Sequence, residues 1–171
     1  MRHRLRALSA AGVLCLVSAC APAPDEQVLT RFFEASRTLD SIRLDRFATV
    51  VFNPRTDGSI QRFSVTDRGA DRRRSIDASN REAAVRSLAA SQRQDIDLSD
   101  ASVGIIERDI TVEAEVRAPS GAVGRGVLIV TLERAVGTRA GVTIEGQWIV
   151  TRLQRAPDER TSRAVSSGPP S

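Results

Sequence analysis

The residue types that most often do chemistry are scarce in this chain, and their positions decide what remains. The 171 residues include one histidine, two cysteines and no tyrosine. The histidine is His3 and the cysteines are Cys15 and Cys20, all within the first twenty residues. From Ala21 onward there is neither imidazole nor thiol, so no Ser-His-Asp or Cys-His nucleophile can be assembled there. Zinc and copper sites built on nitrogen and sulfur are excluded for the same reason, and no metal or cofactor is expected. Carboxylates and guanidiniums are left. Asp109, Glu113 and Glu115 alternate with apolar residues, which predicts the wet face of a strand rather than a general base. Asp95-Ile96-Asp97-Leu98-Ser99-Asp100 has the acids of a calcium loop without the glycine and closing glutamate of an EF-hand, so it reads as an exposed acidic turn. Gly121-Ala122-Val123-Gly124-Arg125-Gly126 echoes a phosphate-binding fingerprint. It lies between two strand patterns, however, and lacks the helix that a dinucleotide turn requires. No catalytic residue is expected.

Arginine supplies every side-chain cation other than the histidine, and the pI of 10.6 invites a nucleic-acid reading. That reading fails. Arg2, Arg4 and Arg6 sit at the extreme N-terminus, and without them the arginines exceed the acids by a single charge. With no lysine, tyrosine or later histidine, few groups titrate above neutrality, so a tiny surplus drives the pI upward. Nucleic-acid binders carry a real basic patch. Arg72-Arg73-Arg74 has the charge to touch anionic headgroups. With Asp67, Asp71 and Asp77 beside it, it reads instead as an exposed, solvated loop.

Cys20 is the one residue whose surroundings specify a reaction. Three arginines precede an uncharged apolar stretch over residues 7–19, too short to span a bilayer as a helix. The stretch ends in Leu16-Val17-Ser18-Ala19-Cys20, which resembles the lipobox of bacterial lipoproteins. Small side chains flank the scissile bond, and the Cys20 thiol is the nucleophile that takes diacylglycerol. Cys15 follows the bulky Leu14 and competes poorly. The resemblance implies a signal peptide over 1–19 and a lipidated tether over 20–24, stiffened by Pro22 and Pro24. It also implies a stable membrane anchor of two or more acyl chains. Ala21, where an aspartate would resemble an inner-membrane retention signal, favours the outer membrane facing the periplasm. With Cys20 acylated, no disulfide is available.

The remaining chain, about 150 residues, is one domain's worth. Val28, Leu29, Phe32 and Phe33 share one helical face, with Arg31, Glu34 and Arg37 opposite and Asp25 in the first turn. A second short helix is expected from Asp40 or Ser41, with Leu39, Ile42 and Phe47 inward. After a turn at Asp57-Gly58, residues 59–67 read as a strand with Gln61, Phe63 and Val65 on one side. Ser79-Asn80-Arg81-Glu82 has the spacing of a capping box and predicts a helix over about 80–93. Ile110, Val112, Ala114 and Val116 alternate along a half-buried strand. Val127-Leu128-Ile129-Val130 predicts a central strand covered on both faces, running over about 123–134. A turn over 137–141 and one strand over 142–154 complete a meander. The segment 156–171 is polar and expected to be disordered.

A single α+β domain over 25–155 follows, with N-terminal helices packed on a curved antiparallel sheet. The order of elements, with Phe32 and Phe33, the turn at Asp57-Gly58 and the Gly146-Gln147-Trp148 strand, resembles the NTF2-like (SnoaL-like) cone. A cystatin-like sheet on one helix is the alternative. Trp148, with Phe33 and Phe63, has the surface to line a pocket in such a cone, although a core position is the plainer reading. The expected function is a lipid-anchored envelope protein acting as a non-catalytic interaction or assembly module. Its partners would be the membrane and an envelope protein or lipid. The alternatives are an NTF2-like protein binding a small apolar ligand or lipid, and a SnoaL-like enzyme working with Asp, Glu and Arg. The oxyanion tyrosine of ketosteroid isomerase, an enzyme of that architecture, has no counterpart here.

Overall fold

The computed structural model describes residues 23–91 and 100–156. The segments 1–19 and 157–171, Cys20 and the acidic stretch 95–99 lie outside the described residues. Helix α1 (Pro24–Thr38) begins inside the expected tether, because Pro24 at its first position has no N–H to leave unpaired. Its buried stripe is Leu29, Phe32, Phe33, Ala35 and Ser36, the face that the spacing predicts, and Arg31, Glu34 and Arg37 are exposed. The helix ends at Leu39, which is left-handed at φ 51°.

Helix α2 (Ser41–Leu44) is a single turn, capped by the Asp40 carboxylate accepting from the Arg43 N–H at 3.0 Å. It buries Leu44, whereas Leu39 and Ile42 stay exposed. Of the expected apolar side only Phe47, just beyond the turn, packs against the core.

Six antiparallel strands follow: β1 (Ser59–Arg68), β2 (Arg72–Ser75), β3 (Ser102–Arg117), β4 (Val123–Arg139), β5 (Val142–Glu145) and β6 (Ile149–Arg155). Helix α3 (Ala78–Ser91) lies between β2 and β3. The long β3–β4 hairpin is the spine, with β1 and β2 paired along the outer edge of β3 and β5 and β6 along that of β4. The sheet therefore has two halves. In the half carrying β1, the inner face holds Ile110, Val112 and Ala114 opposite Val130, Leu128 and Gly126, and α1 covers it in one cluster with Phe32, Trp148 and Val150. In the other half α3 packs on the opposite, outer face through Ala84 and Leu88 against Ala101 and Ala135.

Several sequence expectations are corrected here. Asp71-Arg72-Arg73-Arg74 is not a loop. Its arginines form β2, whose side chains are all exposed and so carry no apolar alternation. Strand β1 slips register between Ile60 and Arg62, so Ile60, rather than Gln61, joins Phe63 and Val65 on the core side. Strand β4 runs on to Arg139, which confines the turn to Ala140 and Gly141. Val127 is exposed, so the apolar run is covered on one face only. The last expected strand is two strands, broken at 146–148. Helix α3 starts at Ala78, ahead of the expected cap at Ser79, with the N–H groups of Asn80 and Arg81 reaching the Asp77 carbonyl, and Glu82 pairs with Arg86 at 2.8 Å.

Candidate functional site

The break between β5 and β6 builds the most unusual cluster in the molecule. Val136 pairs with Glu145 and Glu133 with Ile149, so two residues of β4 face the three residues 146–148. Gly146 fits the close approach, because an added Cβ would stand 3.2 Å from the Ala135 carbonyl oxygen. Gln147 is held by donating from Nε2 to the Arg46 carbonyl at 2.6 Å. The extra residue carries Trp148 into the inner core, where it is 6% exposed.

Two guanidiniums lie against the Trp148 ring, Arg134 at 4.5 Å and Arg108 at 5.1 Å from its centroid. Each is tied to a carboxylate. Arg134 Nη1 donates to Glu145 at 2.5 Å, while Arg108 Nε donates to Asp71 at 2.6 Å and its Nη1 to Asp25 at 3.5 Å. Asp25 is 3% exposed and also accepts from Arg68 Nε at 2.9 Å and from the Glu26 N–H at 2.9 Å. The cluster thus stitches the first turn of α1 to β1, β3 and β4. The Arg134 Nε–H is buried without a partner among the described residues. Stacking of a weakly hydrated guanidinium on an indole offsets part of that cost.

The expected pocket residues are divided. Phe33 and Phe63 lie with ring centroids 5.2 Å apart and line a groove of about 440 Å³ between α1 and β1. Trp148 belongs to the same core but not to that groove. A second groove, of about 430 Å³, lies on the outer face beside α3, where Ile105, Ala135 and Ile149 meet the Arg74–Glu133 ion pair of 3.3 Å. Nothing in the sequence flagged this groove, because its apolar lining comes from three strands and a weakly amphipathic helix.

Along the outer face, Glu107 and Glu133 pair directly across β3 and β4, a like-charge juxtaposition that destabilises unless neutralised. The flanking strands neutralise it. Arg72 from β2 reaches Glu107 at 2.6 Å and Asp109 at 2.8 Å, and Arg152 from β6 reaches Glu107 at 3.5 Å. Asp109 also accepts from Thr131 at 2.7 Å, so it is not simply solvated as its alternation predicts. Burial, the largest influence on Asp109, raises its pKa. The hydrogen bonds from Thr131 and Arg72 and the charges of Arg72 and Arg152 outweigh that, and the net shift is downward. The Arg108 hydrogen bond lowers Asp71 from its usual value of 3.8.

Both shifts have the same sign for stability. A carboxylate with a depressed folded pKa stabilises the fold at any pH above its unfolded value, and that contribution is lost as pH falls through the folded value. Stability should therefore hold flat from neutrality down towards 3.8 and fall below it. Asp71→Asn should flatten that acid limb in urea titrations at stepped pH. An acid limb unchanged by the substitution would remove Asp71 from the account.

Among the described residues no group of three or more His, Cys, Asp or Glu is placed to hold a metal ion, and no helix is long and apolar enough to cross a membrane. Comparison of the chain with models of protein families, with curated proteins and with solved structures finds no match in any of the three.

Proposed function

We propose that this chain is a lipid-anchored bacterial envelope protein whose domain is a non-catalytic interaction or assembly module. The reading places the anchor at Cys20, by the resemblance of Leu16-Val17-Ser18-Ala19-Cys20 to a lipobox. It takes the fold as an NTF2-like cone. The observation that carries the non-catalytic part is the Trp148 cluster. In such a cone the space between the inner face and the N-terminal helices is where a substrate cavity would lie. Here that space holds Trp148 against Arg108 and Arg134, with Asp25 buried and accepting from two guanidiniums and a backbone N–H. A carboxylate this buried and paired with two guanidiniums is a weak general base, which speaks against the SnoaL-like alternative.

A second reading rests on the groove beside α3. Its volume and its mixture of Ile105, Ala135 and Ile149 with polar groups fit a small apolar ligand or lipid. Native mass spectrometry of the protein extracted from membranes separates the two. A co-purifying envelope protein is the expected result, and a stoichiometric small molecule or lipid favours the second reading. Bare monomer alone would contradict both.

A further inference from the structure

Strand β2 sorts three consecutive arginines onto two faces. Arg72 and Arg74 pair with Glu107 and Ile105, so they point to the outer face, where their guanidiniums meet carboxylates. Arg73 pairs with Ile106 and points to the inner face. It is exposed and has no ion-pair partner among the described residues. Among the described residues neither long helix covers the half of the inner face around it: α1 begins at the level of Arg108 and runs the other way along β1, and α3 packs on the outer face.

Arg73 lines a shallow groove of about 530 Å³ whose other walls include Ser75, Ser102 and Thr138. Ser75 pairs with Gly104 and Ser102 with Thr138, so the three hydroxyls share the inner face with Arg73. Gly104 leaves the floor bare beneath the guanidinium, where an added Cβ would stand 3.5 Å from Arg73 Nε. Among the described residues no carboxylate lines the groove. One unpaired guanidinium with three hydroxyl donors and no competing acid matches a phosphate, whose oxygens accept several hydrogen bonds at once.

The start of the fold indicates where that phosphate comes from. Asp25 is bonded to Arg108, four residues along β3 from Gly104 and on the same face, a separation of about 13 Å. Cys20 precedes Ala23 by three residues, a reach of at most about 11 Å. With an acyl anchor there, the groove on this half of the inner face would lie within reach of the headgroup layer. We propose that the groove around Arg73 seats the phosphate of a phospholipid headgroup in the anchoring membrane, and so fixes which face of the domain turns to the bilayer. The source of the phosphate rests on the anchored reading; the groove itself does not.

The test uses the full chain carrying Cys20→Ala, so that acyl chains do not drive binding, with Arg73→Gln added. Arg62→Gln serves as a charge-matched control, since Arg62 is exposed on the outer face of β1. Each protein is co-sedimented with vesicles of phosphatidylcholine alone or with phosphatidylglycerol, and titrated separately with inorganic phosphate. Preference for the anionic vesicles should fall about fivefold with Arg73→Gln and little with Arg62→Gln. Equal losses with both variants, or no loss with Arg73→Gln, would overturn the site. Arg73-dependent binding of inorganic phosphate without vesicles would assign it to a free anion and overturn the lipid source. Acyl labelling of the chain with Cys20 intact reports on the anchor independently, so the two failures are distinguishable.

Discussion

Trp148→Ala should destabilise the domain by about 3–5 kcal/mol, the usual cost of emptying a large aromatic site in a core. The side chain is 6% exposed and packs in the cluster of Phe32, Leu132 and Val150. Its loss also strips the π face from Arg108 and Arg134, whose guanidiniums lie 5.1 and 4.5 Å from the ring centroid. Each such contact contributes about 0.5–2 kcal/mol. A tryptophan lining an open pocket behaves differently, since substitutions at such surfaces stay within about 0.5 kcal/mol. Equilibrium urea denaturation of the two proteins distinguishes a structural plug from a pocket wall. A loss below about 1 kcal/mol would contradict the plug, and with it the main support for a non-catalytic domain.

Much of this fold was legible wherever one side of an element is buried and the other is wet. The α1 stripe and the alternation of Ile110, Val112 and Ala114 are of that kind, because burial of one face imposes the period of the element on the sequence. Strand β2 was not legible. Arg72, Arg73 and Arg74 are all exposed, and the hydrogen bonds that make them a strand come from β3, about thirty residues away. The break at 146–148 was hidden for a related reason. Apolar residues continue on both sides of it, and only the register against β4 reveals the extra residue.

The site was legible in its residue types but not in its assembly. The absence of histidine and of a free thiol after Cys20 could be read directly, whereas the three residues expected to line one pocket, Phe33, Phe63 and Trp148, share a core in which only Phe33 and Phe63 line a groove. The contacts that make Trp148 a plug link residues far apart in sequence. Asp25 meets Arg108 across 83 positions and Arg68 across 43. Nothing local distinguishes Asp25 from any other first-turn acid, and nothing local separates Arg73 from its two neighbours. A strand with its partner is needed to place one arginine on each face in turn.

Cys20→Ala is the other substitution with a large expected effect, because the proposed role depends on holding this domain at a membrane. One acyl chain gives marginal binding, whereas two or three hold a protein durably, so losing all of them should move the protein from the membrane to the soluble fraction. Charge gives no comparable substitute. Beyond the first six residues arginines and acids nearly balance, and a single groove arginine contributes only about 1 kcal/mol at an anionic surface. The direct measurement is membrane fractionation with metabolic fatty-acid labelling of the native chain and of Cys20→Ala. The native chain should be labelled and sediment with membranes, and the variant should lose both properties. Membrane association and labelling unchanged by the substitution would contradict the anchor and the function proposed from it.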